Sequence, residues 1–332
     1  MLLKLFKGTS PGVIVLIAIT FVIVWISAFI NPDSRMQDYW NESHMPLYGF
    51  LTGILGSGSI PSTIFALSIA VLLQFLITNF NTTIFFINER TFLPALLYIL
   101  VVVIFPEFQM LNPALPASLF FMFALKRIMA GYQKQGVAYN FFDAGILIST
   151  GSLFYANLIW FGVIIFIGII LMRTVSFYEI AITFLGLLTP YLITFGIYYV
   201  LGHNLDSLMT LIYSNLFSSA PEYSFSRLTI VTLIFDSLMI LVSIVYITML
   251  YNTKKIKSRK TFSMLIWIFV ISSAVYFAVP SVSVEMIWLT GIPVSFFLTH
   301  QFIFIKKKIV SGIFFTVMFV LVLLIQALYI FQ

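Results

Sequence analysis

Two stretches of the sequence gather acidic, cationic and imidazole side chains that can do chemistry. The first lies between residues 31 and 44 and contains two carboxylates, Asp33 and Asp38. Neighbouring carboxylates can divide labour, one acting as a general base while the other orients a substrate or binds a cation. The same stretch supplies three further groups that can contact a substrate, namely Arg35, Glu42 and His44. We therefore treat it as the first candidate site.

The second stretch covers residues 201–226 and ends beside Arg227. It contains His203 and Asp206. An arginine suits a phosphate because its planar guanidinium donates two parallel hydrogen bonds and stays charged. The sequence therefore predicts substrate binding by Arg227, His203 and Asp206. An arginine at a membrane surface with its charged head in water has the same sequence signature, so that interpretation stays open.

The composition decides what kind of molecule must position these residues. Of the 332 residues, 61% are hydrophobic and 8% are charged, whereas a soluble domain carries about 25% charged residues. Apolar segments follow one another at about the 20-residue length that a helix needs to cross the bilayer. The sequence predicts an all-α, polytopic bundle of transmembrane helices that forms a single domain over residues 1–332.

The apolar segments predict about eleven spans and an interfacial helix. The spans are Gly12–Ile30, Pro61–Phe80, Thr91–Phe105, Pro113–Gly131, Val137–Phe154, Asn157–Met172, Phe177–Leu201, Arg227–Tyr251, Thr261–Val279, Met286–Ile305 and Val310–Phe331. Leu47, Phe50, Leu51, Ile54 and Leu55 recur at helical spacing and form one apolar stripe. That stripe predicts a short helix in the membrane interface, which would hold the first candidate site at the level of the lipid headgroups.

The charges predict the orientation, because Lys and Arg concentrate in short cytoplasmic loops. A cytoplasmic N-terminus leaves only Arg35 and Arg227 outside and puts Glu107, Asp206 and Glu285 in external connections. The net charge of +6 then reflects topology, and no nucleic-acid partner is expected, since no basic face carries stacking aromatics. We expect an integral protein of the bacterial inner membrane.

The remaining polar signals are few. The chain has no cysteine and three histidines, which excludes thiol chemistry and disfavours a metal centre. No cofactor is predicted, and although a divalent cation is compatible with the acidic stretch, nothing indicates one. Asp236 lies deep in the predicted eighth span, where an ionisable residue is costly and is therefore functional by default.

A short motif and the topology together suggest a resemblance. Pro32-Asp33-Ser34-Arg35, followed by Asp38-Tyr39, resembles elements of the GT-C class of membrane glycosyltransferases, which use polyprenyl-phosphate sugar donors. The resemblance implies Asp33 as the catalytic base, with Asp38 second, and Arg227 or His203 at the donor phosphate. It also implies a seven-span module over 1–201 and a four-span module over 227–332. The segment 140–145, Asn-Phe-Phe-Asp-Ala-Gly, looks like an uncharacterised family of Bacteroidota inner-membrane proteins.

Three functions follow as hypotheses. The first is a glycosyltransferase that moves a sugar from a polyprenyl-phosphate donor in the membrane to an extracytoplasmic acceptor. The second is a non-catalytic membrane subunit that binds envelope proteins in a translocation or polysaccharide-assembly complex. The third is a transporter or lipid flippase built around Asp236.

Overall fold

Helices make up all the regular structure that the computed structural model describes, which covers residues 2–30, 44–56, 58–132, 138–172, 177–220 and 223–331. Within these ranges there are fourteen α-helices and no strand. They are α1 (Leu2–Phe6), α2 (Pro11–Ile30), α3 (Pro46–Leu55), α4 (Ile60–Ile84), α5 (Leu93–Val102), α6 (Ala114–Ala130), α7 (Ala138–Ser152), α8 (Val163–Met172), α9 (Phe177–Val200), α10 (Leu205–Phe217), α11 (Arg227–Met249), α12 (Ile256–Ala278), α13 (Ile287–Phe304) and α14 (Lys308–Ile330). Short 3-10 helices cover Pro106–Phe108, Ala156–Gly162, Tyr251–Thr253 and Val284–Met286. The predicted all-α class is confirmed.

Seven of the described helices are long and apolar enough to cross a membrane. They are α2, α4, α9, α11, α12, α13 with its 3-10 lead-in, and α14. The shortest, α2, has 20 residues, which corresponds to about 30 Å of helix, the thickness of the hydrocarbon core. These helices are compatible with an integral membrane protein.

The prediction of about eleven spans is not confirmed. The other four predicted spans fall on shorter elements: α5 with 10 residues, α6 with 17, α7 with 15, and α8 with 10 after its 3-10 lead-in. A ten-residue helix rises only about 15 Å. By length alone these elements do not qualify as membrane-spanning helices.

The core is built around α5 and α13. All ten residues of α5 are buried. In the apolar stretch of Val284–Phe304, which includes α13, 83% of the residues are buried inside the protein. Helix α13 packs against α5, α11 and α12. The outer helices are much less buried. Only 17% of the residues are buried in the apolar stretch of α9, and 28% in those of α11 and α14. Their exposed faces are rows of large apolar side chains, which suit contact with lipid.

Helices α7 and α9 approach closely at two glycines. A Cβ atom added to Gly186 would lie 2.5 Å from the carbonyl oxygen of Phe142, and one added to Gly145 would lie 3.0 Å from the backbone of α9. The Ser149 hydroxyl donates across this contact to the carbonyl oxygen of Leu187 at 2.6 Å. Small residues allow this approach, and the serine hydrogen bond then joins the two helices.

Long-range hydrogen bonds define two ends of the bundle. At one end Lys7 Nζ donates to the Ile303 carbonyl oxygen at 3.3 Å, and Tyr246 donates to that of Phe304 at 2.6 Å. We call this the lysine end, because the N-terminal segment and the α11–α12 and α13–α14 connections meet there. The lysines in these segments are Lys4, Lys7, Lys254, Lys255, Lys257, Lys260, Lys306, Lys307 and Lys308. At the opposite end the Tyr223 hydroxyl donates to Glu107 Oε2 and the Ser281 hydroxyl donates to the Leu216 carbonyl oxygen, both at 2.8 Å. We call this the acidic end, because the segments that meet there carry Glu107, Asp206 and Glu285.

Candidate functional site: a cleft between two long helices

A cleft separates α11 from α12. Both helices pack against α13 and make few contacts with each other. They are joined at the lysine end by the 3-10 turn Tyr251–Thr253, and α11 starts near the other end, where the Ser226 hydroxyl caps it by accepting from the Thr229 N–H at 3.1 Å. The resulting cavity measures about 530 Å³ and is lined by parts of α5, α11, α12 and α13.

Asp236 is the acidic side chain that lines this cleft. Its side chain lies on α11 nine residues after Arg227, or about 14 Å along the helix axis, and only 3% of the residue is exposed. Neither carboxylate oxygen has a hydrogen-bond partner among the described residues. A buried carboxylate without a donor is costly, so Asp236 must hold a proton or meet a donor from outside the described residues.

The other polar groups of the cleft are hydroxyls. Two of them serve their own helices, since Ser272 donates to the carbonyl oxygen of Phe269 at 2.9 Å and Thr290 donates to that of Met286 at 3.1 Å. The remaining lining side chains are mostly apolar. The cleft therefore combines one carboxylate with walls that suit a hydrocarbon chain.

The cleft opens on the outer surface of the bundle. Two of its lining residues, Phe277 on α12 and Leu241 on α11, are 86% and 58% exposed. Both belong to helices of membrane-spanning length, so their exposed faces would contact lipid. The cleft is therefore open on the apolar outer side of these two helices.

A second buried carboxylate, that of Glu285, lies outside this cleft and, unlike that of Asp236, accepts hydrogen bonds from the protein. It is 1% exposed. Its Oε1 atom accepts from the Tyr155 hydroxyl at 3.1 Å and from the Ser283 N–H at 3.2 Å. The sequence analysis placed this acid in an external connection and gave it no role. Its apolar neighbours Val284 and Met286 are a local hint of burial, but the tyrosine partner is distant in sequence.

Four of the predicted site residues, Asp33, Arg35, Asp38 and Glu42, lie outside the described residues. The catalytic function predicted for Asp33 and Asp38 and the substrate binding predicted for Arg35 and Glu42 therefore stay predictions.

The other predicted binding residues are placed at or near the acidic end. His44 is half-buried just before α3, with its ring centre 5.2 Å from that of Tyr48. Desolvation by burial lowers the pKa of His44. His203, Asp206 and Arg227 are exposed, and the Asp206 N–H donates to the Asn204 side chain at 2.9 Å at the start of α10. Within the described ranges no ion pair joins these four residues, the one salt bridge there being Arg127–Asp143.

The segments that carry these residues nevertheless meet. Leu47 donates its N–H to the carbonyl oxygen of Leu153 at 3.1 Å, and the Tyr48 hydroxyl donates to that of Leu111 at 2.9 Å. A small apolar cluster forms around this contact and includes α10. Its members are Met45, Leu47, Leu153, Ala156, Tyr191, Ile212 and Leu216. The beginning of α3 and helix α10 thus contribute to the same apolar cluster.

A helix is present where the apolar stripe predicts one, as α3, and the stripe is divided between two sides of it. Phe50 and Ile54 are 69% and 66% exposed, while Tyr48 is buried. Leu51 and Leu55 pack partly against the core. One side of α3 therefore anchors the helix to the protein, and the other presents large apolar side chains outward.

The described residues contain no group of three or more His, Asp or Glu side chains that could hold a metal ion.

In the part of the chain that the structure describes, the fold and the cleft define an all-helical protein with seven helices of membrane-spanning length and a carboxylate buried among them. Residues 54–331 match the model of a "Family of unknown function (DUF6427)", and the chain belongs to that family. The match begins within α3, so it does not include the stretch from Asp33 to His44. No curated protein and no solved structure matches the chain.

Proposed function

We propose that the protein is a multi-pass membrane transporter of the flippase type, which admits an amphipathic molecule from the bilayer into the α11–α12 cleft. The observation that carries this proposal is Asp236, a buried carboxylate without a described partner that lines an apolar cavity. The exposed lining residues Phe277 and Leu241 support sideways entry from lipid. The cavity of about 530 Å³ lies in the size range of sites for small organic ligands.

The chemistry of the ligand follows from the lone carboxylate. In a medium of low dielectric constant, an ionised carboxylate gains most from pairing with a cation that also donates a hydrogen bond. The apolar walls favour a hydrocarbon tail. The preferred ligand is therefore a long-chain amine or an amine-headed lipid.

A binding experiment tests this assignment. Purified protein in detergent is titrated with a fluorescent long-chain alkylamine and with the alcohol of equal chain length. We expect Asp236→Asn, which keeps the shape of the side chain, to weaken amine binding by at least about ten-fold, or about 1.4 kcal/mol. Alcohol binding should change less. The matched control is Asp206→Asn, because Asp206 is an exposed acid that does not line the cleft. Equal amine affinity in wild type and Asp236→Asn would exclude the proposed site.

A transport experiment tests the flippase activity itself. Vesicles that contain the protein and acyl-labelled fluorescent phosphatidylethanolamine are treated with dithionite, which bleaches only the outer leaflet. We expect wild-type vesicles to lose more than the outer-leaflet fraction of fluorescence, and Asp236→Asn vesicles to behave like protein-free ones. Identical bleaching in wild-type and protein-free vesicles would contradict transport of this lipid.

We also propose that the chain crosses a bacterial inner membrane eleven times with a cytoplasmic N-terminus. The contacts of α5 support the shorter crossings. The Thr91 hydroxyl, just before α5, donates to the Lys7 carbonyl oxygen at the lysine end. Gln109, which follows the 3-10 helix after α5, has its Oε1 2.9 Å from the Ser27 hydroxyl oxygen near the other end of α2. A short helix can therefore connect the two ends when irregular turns extend it inside the protein.

A second candidate function is the transfer of a sugar from a polyprenyl-phosphate donor, with Asp33 as base and Asp38 beside it. The shared apolar cluster of α3 and α10 favours it, because this cluster brings together the two segments in which the sequence predicts the reacting groups. The test measures transfer from a panel of polyprenyl-phosphate sugars. We expect Asp33→Asn to abolish transfer and Asp236→Asn to preserve it, which is the reverse of the pattern expected for the transporter.

A further inference from the structure

A groove of about 480 Å³ lies at the lysine end between α1, the C-terminal turn of α13 and α14. It is distinct from the α11–α12 cleft, because the cleft contacts the first half of α13 and the groove contacts its end through Phe302 and Ile303. The proposed transporter function does not use it.

The N-terminal segment is held in place beside this groove. Phe6 packs against the rings of Phe315 and Phe319, with both centroid distances 6.0 Å. Lys7 Nζ donates to the Ile303 carbonyl oxygen at 3.3 Å, and the Thr91 hydroxyl donates to the Lys7 carbonyl oxygen at 3.3 Å. The groove wall is thus anchored by both ring packing and hydrogen bonds.

Three ammonium groups border the groove, those of Lys4, Lys7 and Lys308. None forms a salt bridge within the described residues, where Arg127–Asp143 is the one ion pair. Lys7 has two further N–H donors beyond the one that meets Ile303. The groove therefore presents an uncompensated positive charge at one end of its apolar surface.

The apolar surface extends along α14. Ile309, Ile313 and Val317 line the groove at intervals of four residues, which covers about 12 Å of helix. All three are exposed, Ile309 to 78%. Gly312 lies among them, and a Cβ atom added there would meet nothing within 4 Å. The groove is thus open and long enough for a segment of an acyl chain.

We propose that this groove binds an anionic phospholipid, with the phosphate at Lys4, Lys7 and Lys308 and an acyl chain along α14. The charge complementarity selects an anionic lipid over a zwitterionic one, because each lysine near a membrane surface contributes attraction to anionic lipid. The apolar surface selects a lipid over a free phosphate, since burial of methylene groups adds to the binding free energy.

The test is native mass spectrometry of the full-length protein in detergent, titrated with phosphatidylglycerol or phosphatidylcholine of identical chains. We expect wild type to bind phosphatidylglycerol at least about ten-fold more tightly, given about five-fold per lysine before screening. The triple variant Lys4→Gln, Lys7→Gln, Lys308→Gln should lose this preference. The matched control replaces Lys126, Lys255 and Lys257 with Gln. This control removes the same charge, but none of its three positions lines the groove, so it should keep the preference for phosphatidylglycerol.

A variant that fills the groove tests lipid binding independently, in case the triple variant folds poorly. Gly312→Leu places a side chain in open space and should weaken phosphatidylglycerol binding at unchanged charge. The proposal is overturned if the two lipids bind equally to wild type, if the control triple variant loses as much affinity as the groove variant, or if Gly312→Leu has no effect. It is also overturned if millimolar inorganic phosphate displaces the lipid, because the site would then be one for free phosphate.

Discussion

Asp236 and Glu285 are both buried carboxylates, but their surroundings give them different functions. One oxygen of Glu285 accepts two hydrogen bonds, from Tyr155 and from the Ser283 N–H. The Tyr155 bond joins the lead-in to α13 to the segment after α7. Asp236 has no such partner among the described residues and faces a cavity. We therefore infer that Glu285 holds the fold together, while Asp236 is available for a ligand.

His44 leads to a prediction on pH dependence. Desolvation lowers the pKa of His44 below its ordinary value of 6.5. Between the lowered value and 6.5, the unfolded state binds more protons than the folded state, so stability falls as the pH drops through 6.5 and levels off below the folded pKa. We expect His44→Gln to remove part of this acid-induced loss, measured as the thermal unfolding midpoint in detergent from pH 7.5 to 5.

The control for this experiment is His203→Gln, since His203 is exposed. It should keep the acid-induced loss of the wild type. If His44→Gln and wild type lose the same amount of stability between pH 7.5 and 5, burial of His44 does not contribute to the pH dependence.

At the scale of elements, the packing of α9 depends on a few small residues. Only 17% of the residues in its apolar stretch are buried. The buried positions recur every three to four residues along one face, at Glu179, Thr183, Gly186 and Pro190. This face meets α7, where Gly145 provides the matching space. A narrow strip of close backbone contact therefore holds a long helix that the rest of the protein covers very little.

Substitutions at two glycines of α9 test this arrangement. Gly186→Ala should destabilise the protein by about 1–3 kcal/mol, the usual cost of overpacking, because its Cβ would lie 2.5 Å from a backbone oxygen that cannot move alone. Gly196→Ala is the matched control on the same helix, since its Cβ meets nothing within 4 Å. It should be neutral or stabilise by up to about 1 kcal/mol through helix propensity.

Thermal unfolding in detergent measures both variants. Equal midpoints for Gly186→Ala and Gly196→Ala would show that the α7–α9 contact is not close-packed in the membrane.

At the scale of the whole molecule, the charges divide between the two ends of the bundle. The lysine end contains the N-terminal segment and the α11–α12 and α13–α14 connections, and the acidic end contains α10 and the lead-in to α13. The rule that Lys and Arg stay on the cytoplasmic side assigns the lysine end to the cytoplasm as a prediction. It predicts which surfaces are reachable from each side of the membrane.

Cysteine labelling tests that prediction directly, because the natural sequence contains no cysteine. Ser207→Cys at the acidic end should react with a membrane-impermeant maleimide in intact cells. Lys257→Cys at the lysine end should react only after the membrane is permeabilised. The reverse pattern would invert the proposed orientation, and labelling of both positions in intact cells would contradict a crossing between them.

The local sequence is sufficient to predict the positions of several long helices. The predicted spans starting at Phe177 and Arg227 correspond to α9 and α11, which start at the same residues and end within two residues of the expected positions. Long apolar runs determine such helices because their side chains and backbone bonds need no distant partner. The stripe from Leu47 to Leu55 likewise predicted α3. The depth of Asp236 within an apolar run was also sufficient to single it out.

The composition and local periodicity thus establish an apolar, all-helical chain and the approximate position of its long helices. The tertiary structure alone decides which polar groups are satisfied. Glu285 meets Tyr155 across 130 residues of sequence. Asp236 faces a cleft because α11 and α12 both pack on α13 and make few contacts with each other. The physical reason is that a hydrogen-bond partner or a cavity depends on the relative placement of distant helices, which no local pattern encodes.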